Sequence, residues 1–143
     1  MMLSLITLAA LATAQEPAAQ AGQAEMRVLS RVAPEFPLQA AYAGHTGICR
    51  VDFDITAYGE PENICVRCTT TATVEADGTE TVEAVLRSLA LESAQAVTYW
   101  RYDTQSQPYE GASTQFEYSL RGGGTAELPA PPDETTPRLC VTE

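Results

Sequence analysis

The chain contains no lysine. Its eight cationic side chains, all arginine, are outnumbered by nineteen aspartates and glutamates, for a formal net charge of −11. Nucleic acids and anionic lipid surfaces are bound through a basic footprint on the protein. This acidic balance therefore argues against both as partners, and we expect no nucleic-acid binding.

Histidine is almost absent, since His45 is the only one and lies in a turn between two glycines. No catalytic triad can be assembled around it. Asp52 and Asp54, with two glutamates nearby, could do acid–base work or bind calcium, but carboxylates that alternate along a strand are most often a solvated face. We therefore predict that the protein is not an enzyme and has no metal site or cofactor.

Long apolar runs are also missing, because the longest one, at positions 3–11, is far shorter than the roughly 20 residues of a membrane-spanning helix. Ala12-Thr13-Ala14 follows it with the small-x-small pattern of a signal-peptidase site. We interpret residues 1–14 as a cleaved signal peptide. The expected location is the periplasm, without a membrane anchor; the alternative is an apolar N-terminus on a cytosolic protein.

Four cysteines in a short exported chain favour disulfides. If residues 57–60 form a four-residue hairpin loop, Thr56 faces Pro61, and counting back places Cys49 opposite Cys68. Residues directly opposite in an antiparallel pair have Cβ atoms about 5 Å apart, close to disulfide range. Cys65 points to the other face, so its partner would be Cys140. The predicted bridges are Cys49–Cys68 and Cys65–Cys140.

Two other interpretations of these cysteines stay open. Cys65 and Cys68 form a C-x-x-C motif, which is typical of thiol–disulfide redox proteins of the cell envelope. That chemistry favours a first cysteine at a helix N-terminus, whereas this motif lies in a predicted strand. A zinc site of four thiolates is the second alternative, although such sites usually join two close cysteine pairs.

The chain divides into a flexible lead at 15–30, a domain at 31–120 and a Gly/Pro-rich tail at 121–143 that contains Cys140. Within the domain, periodicity predicts a short helical turn at 38–43, a strand hairpin either side of 57–60, a helix at 81–98 and a last strand at 116–120. The predicted fold is therefore α+β. It has a small antiparallel three-stranded sheet and one main helix, in the order β-β-α-β, packed on one face.

Four pieces of the domain occur in a distinctive order: P-E-F-P at 34–37, G-I-C-R-V-D-F-D-I at 47–55, A-V-T-Y-W-R-Y at 96–102 and F-E-Y-S-L at 116–120. In this order they resemble the C-terminal domain of TonB, the periplasmic part of the energy transducer that serves outer-membrane receptors. The family's fold has the same order of two strands, a helix and a third strand. We expect the following residues to be structural anchors: Pro34, Phe36, Pro37, Trp100 and Tyr102.

The resemblance implies a binding function. In TonB-like domains an extended receptor segment pairs with the sheet edge formed by the last strand, which is β-augmentation. Here that edge and the segment before P-E-F-P give a predicted partner site of Arg31, Ser113, Thr114, Gln115, Phe116, Glu117, Tyr118, Ser119 and Leu120. The implied partner is a segment of a TonB-dependent outer-membrane receptor or a transducer complex, and an edge-paired homodimer is a further expectation. A secreted structural protein that reuses the fold is the third alternative.

Overall fold

The computed structural model describes residues 27–72, 82–119 and 127–141. The predicted signal peptide at 1–14 and residues 15–26 of the predicted lead lie outside the described residues. Two helices and six strands follow one another in the described part of the chain: β1 Arg27–Ser30, α1 Leu38–Tyr42, β2 Gly47–Ile55, β3 Pro61–Thr70, α2 Val82–Thr98, β4 Arg101–Asp103, β5 Tyr109–Tyr118 and β6 Arg138–Cys140.

The main sheet is antiparallel throughout, with the strand order β5-β2-β3-β6. The α+β class is as predicted, but the sheet has four strands rather than three, and β1 and β4 form a second, two-stranded sheet. The fourth strand forms because the tail returns to the sheet, where Cys140 is bonded to Cys65 and Leu139 packs against the core. An alternation pattern cannot be recognised in a three-residue strand, so this element was missed.

The hairpin of β2 and β3 forms from strict alternation of apolar and polar residues. Cys49, Val51 and Phe53 are buried, and the residues that follow each of them are more exposed. Its register differs from the prediction near the turn, where Ile55 rather than Thr56 faces Pro61. The shift arises at a β-bulge beside Asn63, whose φ of 53° takes up one extra residue in β3. Beyond the bulge the predicted pairing of Cys49 with Cys68 holds.

Helix α2 covers one face of the sheet, and its described residues agree with the predicted helix at 81–98. Apolar residues recur at a helical spacing, so that Val85, Leu89 and Val97 share one face and are fully buried against β2 and β3. Burying each such side chain contributes about 1.5–3 kcal/mol. These contacts fix the helix, and with it Trp100 just beyond its end, relative to the sheet.

The second sheet begins within the predicted flexible lead, because residues 27–30 form β1 and pair with β4. Arg27 lies opposite Asp103, and Val28 lies opposite Tyr102. The backbone N–H of Tyr102 also donates to the carbonyl oxygen of Gly59 in the β2–β3 turn, at 3.0 Å. The second sheet is therefore joined to one end of the main sheet.

The described part of the tail, residues 127–141, lies along the β3 side of the main sheet. The hydroxyl of Thr46 donates to the carbonyl of Glu127 at 2.7 Å, and the Nε of Arg67 donates to the carbonyl of Thr136 at 3.1 Å. The N–H of Val141 donates to the carbonyl of Ile64 at 2.9 Å. Residues 127–141 are thus part of the fold. Within the described residues, no helix combines the length and apolarity needed to cross a membrane.

Candidate strand-addition site

Strand β5 forms one edge of the main sheet, with β2 on its inner side. The strand runs over Tyr109–Tyr118, so it begins earlier and ends earlier than predicted. Ser119 follows the strand and is exposed, and Leu120 lies outside the described residues. A bulge between the pairs Phe53–Ala112 and Ile55–Tyr109 lets the strand continue past Gly111, which has a φ of +83°.

The spacing of the Cys49–Cys68 pair shows which backbone groups of β5 face outward. Cys49 and Cys68 are opposite residues with Cα atoms 4.1 Å apart, the spacing of a pair that exchanges no backbone hydrogen bonds. The N–H and C=O of Cys49 therefore point to the other neighbour, β5, where Phe116 is the partner. Because the direction alternates along a regular strand, Ser113, Gln115 and Glu117 direct their N–H and C=O groups away from the sheet.

Among the described residues, no backbone hydrogen bond reaches the outward groups of Ser113, Gln115 and Glu117. The opposite edge of the sheet differs, because β6 pairs with β3 and the Cys65–Cys140 disulfide holds it there. In the described part of the chain, the main sheet thus ends in the ten-residue strand β5 at one edge and in the three-residue strand β6 at the other.

The predicted site residues on β5 divide between the two faces of the sheet. Ser113, Gln115 and Glu117 lie on the face away from α2. Thr114, Phe116 and Tyr118 lie on the α2 face, where Thr114 and Phe116 are half-buried and Tyr118 is only 3% exposed. The side chain of Tyr118 is therefore a core group that supports the edge and is not displayed to a partner.

Tyr118 is held by a buried hydrogen-bond pair. Its hydroxyl lies 2.7 Å from the Ser93 hydroxyl, which in turn donates to the carbonyl of Leu89 at 2.8 Å. Burial raises the pKa of Tyr118 to about 12, and the Ser93 hydrogen bond opposes that rise. Sequence reasoning missed Ser93, because a serine within an apolar helix face carries no pattern that marks it as a partner for a tyrosine.

Two of the predicted anchors, Trp100 and Phe36, make aromatic contacts behind β5. The ring of Trp100 meets those of Phe116 and Phe53 edge to face, with centroids 5.7 and 6.1 Å apart. Phe36 meets Tyr118 in the same way at 5.5 Å. Trp100 Nε1 also donates to the carbonyl of Val32 at 2.8 Å, which fixes the chain just before the P-E-F-P segment. These contacts hold residues 32–36 beside β5.

Two further anchors, Pro34 and Pro37, lie at the two ends of a short connection. Pro37 caps α1, since its carbonyl accepts from the N–H of Ala41 at 3.0 Å. Pro34 borders a hollow of about 310 Å³ that it shares with Ala33, Phe36 and residues 115–119. This hollow adjoins the C-terminal half of β5 and could receive side chains of an added segment.

Arg31 lies with the aromatic anchors and not directly on the β5 edge. Its guanidinium carbon is 4.8 Å from the centroid of the Trp100 ring, within cation–π range. Burial raises the pKa of Tyr102 above its ordinary value, and the positive charge and hydrogen bond of Arg31 oppose that rise. Arg31 thus stabilises the segment that flanks the site.

Both predicted disulfides are present, Cys49–Cys68 and Cys65–Cys140, and no cysteine is free. The C-x-x-C pair is not bonded to itself, because the two sulfurs point to opposite faces of β3. It also lies within a strand and not at a helix N-terminus. This arrangement favours structural bridges over a redox-active dithiol.

Asp52 and Asp54, the two carboxylates considered as an ion site, are bonded to other groups of the protein. Asp52 accepts from Arg50 at 3.2 Å and from Arg67 at 3.4 Å. Asp54 accepts from the side-chain amide of Asn63 and from the N–H of Gly111. In the described ranges, no group of three or more histidine, cysteine, aspartate or glutamate residues is arranged to hold a metal ion.

Comparison with protein-family models gave no match for this chain, and comparison with curated proteins gave none either. The sequence motifs and the edge geometry are therefore what bears on function.

Proposed function

We propose that the protein is a TonB C-terminal-like interaction module of the cell envelope that binds an extended partner segment by strand addition at β5. The observation that carries this proposal is the open edge of β5. Three alternate residues, Ser113, Gln115 and Glu117, direct backbone donors and acceptors outward. A segment in the extended conformation would satisfy them with main-chain hydrogen bonds.

The surroundings of the edge support the same function. Ala33, Pro34 and Phe36 border a hollow beside the C-terminal half of β5 that a side chain of the added segment would enter. Aromatic contacts pack the residues behind it against one another, and a preformed surface loses less conformational entropy when a segment binds. In this proposal the outward backbone groups supply affinity, and the hollow supplies selectivity.

The partner that we propose is an N-terminal segment of a TonB-dependent outer-membrane receptor, or a transducer complex. The sequence resemblance supports this choice, and no catalytic role is proposed. Two disulfides are compatible with an oxidising extracellular or periplasmic location. We propose the periplasm, reached through the signal peptide at 1–14.

The test is an NMR titration of the oxidised, isotope-labelled protein with synthetic N-terminal segments of outer-membrane receptors from the same organism. Saturable shifts concentrated on Ser113, Gln115 and Glu117, with smaller ones around Arg31, would support strand addition. A folded spectrum that no receptor segment perturbs would contradict the receptor role. Saturable shifts confined to another surface would contradict strand addition at β5.

A further inference from the structure

The chemistry of the added segment can be inferred from the charges that flank the open edge of β5; this step rests on the proposed strand addition. On the face away from α2, residues of an added strand lie directly opposite Ser113, Gln115 and Glu117, at distances where side chains interact. Of these three, Glu117 alone is charged, and it is exposed. The side chain that an added strand places opposite Glu117 therefore contributes most to the selectivity for that strand.

The arginines of β2 and β3 on that face form no ion pair with Glu117. Arg50 lies opposite Gln115 on the neighbouring strand, but its guanidinium is bonded to Asp52. Asp52 also forms an ion pair with Arg67, the next arginine across the sheet. Within the described ranges, no cationic group lies within ion-pair distance of Glu117.

The other side of the flanking segment is also acidic. Glu35 and Glu92 line a second hollow of about 270 Å³ together with Val32, Pro34 and Tyr99. As with Glu117, no ion pair in the described part of the chain engages either carboxylate. Residues 33–34 line both hollows, so these carboxylates lie beside the same segment that borders the edge.

The net charge of the whole chain also favours a cationic partner. A net charge of −11 attracts cations and repels anions over distances comparable to the Debye length. We propose that the segment added to β5 is cationic, with lysine or arginine at alternate positions so that its charged face lies beside Glu117. Small or β-branched residues at the intervening positions would lie toward α2 and Phe116.

The test uses three eight-residue peptides with one backbone and the oxidised full-length chain. The first peptide is acetyl-Thr-Lys-Val-Lys-Thr-Lys-Val-Lys-amide, and the others carry glutamine or glutamate in place of every lysine. At low salt we expect the lysine peptide to bind about tenfold more tightly than the glutamine peptide, and the glutamate peptide to bind most weakly. The preference should shrink as salt is added.

Protein variants localise the effect. Glu117→Gln should weaken binding of the lysine peptide by about threefold and leave the glutamine peptide unchanged. Glu117→Arg should shift the preference toward the glutamate peptide. Glu83→Gln is the matched control, because it removes the same charge from the first turn of α2, beside β6 and away from β5. It should leave the ranking of the three peptides unchanged.

The outcomes separate this inference from the function on which it rests. If the glutamine and lysine peptides both perturb β5 with equal affinity, strand addition stands and the cationic preference is refuted. Equal effects of Glu117→Gln and Glu83→Gln would refute it as well, since the attraction would then be that of the whole chain. If no peptide perturbs β5 at millimolar concentration, both the preference and strand addition fail.

Discussion

Single residues join the parts of this fold, and Gly59 is one of them. Its φ of +85° lies in the left-handed region, and a Cβ placed on it would overlap the backbone carbonyl oxygen of Tyr102. Only glycine allows the hairpin turn to approach β4 this closely. Gly59 therefore holds the second sheet against the end of the main sheet.

We expect Gly59→Ala to lower the free energy of unfolding by about 2–4 kcal/mol, since the backbone of Tyr102 must move as well as the turn. Gly44→Ala is the control. Gly44 has a similar φ of +74° but open space around its Cβ position, so the cost should be only about 1 kcal/mol. Denaturant unfolding of the oxidised proteins measures both. Equal losses for the two variants would mean that the contact with Tyr102 is unimportant.

Tyr118 makes stability depend on alkaline pH. Its pKa is raised from 10.0 to about 12 by burial, so the unfolded chain releases this proton at a lower pH than the folded chain does. The free energy of unfolding should therefore fall above pH 10, by roughly 1.4 kcal/mol per pH unit until the folded-state pKa is reached. Below pH 10 the hydroxyl is neutral in both states and contributes no pH dependence.

Tyr118→Phe tests this effect. At neutral pH the variant should lose about 1 kcal/mol with the hydrogen bond to Ser93. Above pH 10 its stability should decline less steeply than that of the parent chain. Denaturant midpoints measured on both proteins at neutral and alkaline pH give the two slopes. Parallel slopes would show that Tyr118 ionises in the folded protein as readily as in the unfolded chain.

At the scale of elements, β6 is a three-residue strand that owes its position to a covalent bond. The Cys65–Cys140 bridge spans 75 residues of sequence, and bridges that close long loops remove much conformational freedom from the unfolded chain. Leu139 and the hydrogen bond from Val141 to Ile64 add to its attachment. The strand covers an edge of β3 that would otherwise be open.

Replacing both Cys65 and Cys140 by serine should lower the free energy of unfolding by about 2–4 kcal/mol. Amide exchange at Ile64 and Val66 should become faster, because their backbone groups point to β6. Exchange along β5 should accelerate less, since that strand lies on the opposite side of the sheet and feels only the global loss of stability. Hydrogen exchange followed by NMR tests both expectations, and uniform acceleration across the sheet would contradict them.

Proline substitution distinguishes the two sides of β5. The N–H of Gln115 points outward, so Gln115→Pro removes a donor for the partner while keeping the ladder to β2, as prolines on edge strands do. We expect a folded protein with at least about tenfold weaker segment binding. Thr114→Pro is the control, because its N–H points to β2 and its loss should cost about 3 kcal/mol of stability. A folded Gln115→Pro variant that binds normally would refute strand addition.

The sequence predicted those elements whose side chains repeat a regular pattern. Alternation in β2 and β3 gave the hairpin, and parity still gave both disulfides, because the one-residue shift at the turn is offset by the extra residue of the bulge at Asn63 before the cysteine pairs are reached. The start of β5 was missed because Gly111 and Ala112 interrupt the alternation. The open edge itself was predicted only from the family resemblance. The strand order decides which backbone groups point outward, and the alternation pattern does not show that order.

For the whole molecule, the lengths of the two edge strands limit how many segments can add to the main sheet, because β5 has ten residues and β6, which covers β3, has only three. Unpaired strand edges invite further pairing and aggregation, so covering one of them is protective. We therefore expect one segment to bind per chain. Titration calorimetry at saturating peptide should give a stoichiometry of one, and a value of two would indicate that a segment displaces β6 or pairs with another strand.

Hydrogen exchange along β5, measured in the free protein and with a bound segment, tests the central claim most directly. In the free protein the amides of Thr114 and Phe116, which point to β2, should exchange slowly, and those of Ser113, Gln115 and Glu117 should exchange fast. Binding should slow the fast group and leave the slow group unchanged. If the fast group stays fast while a segment is bound, the segment does not add as a strand to this edge.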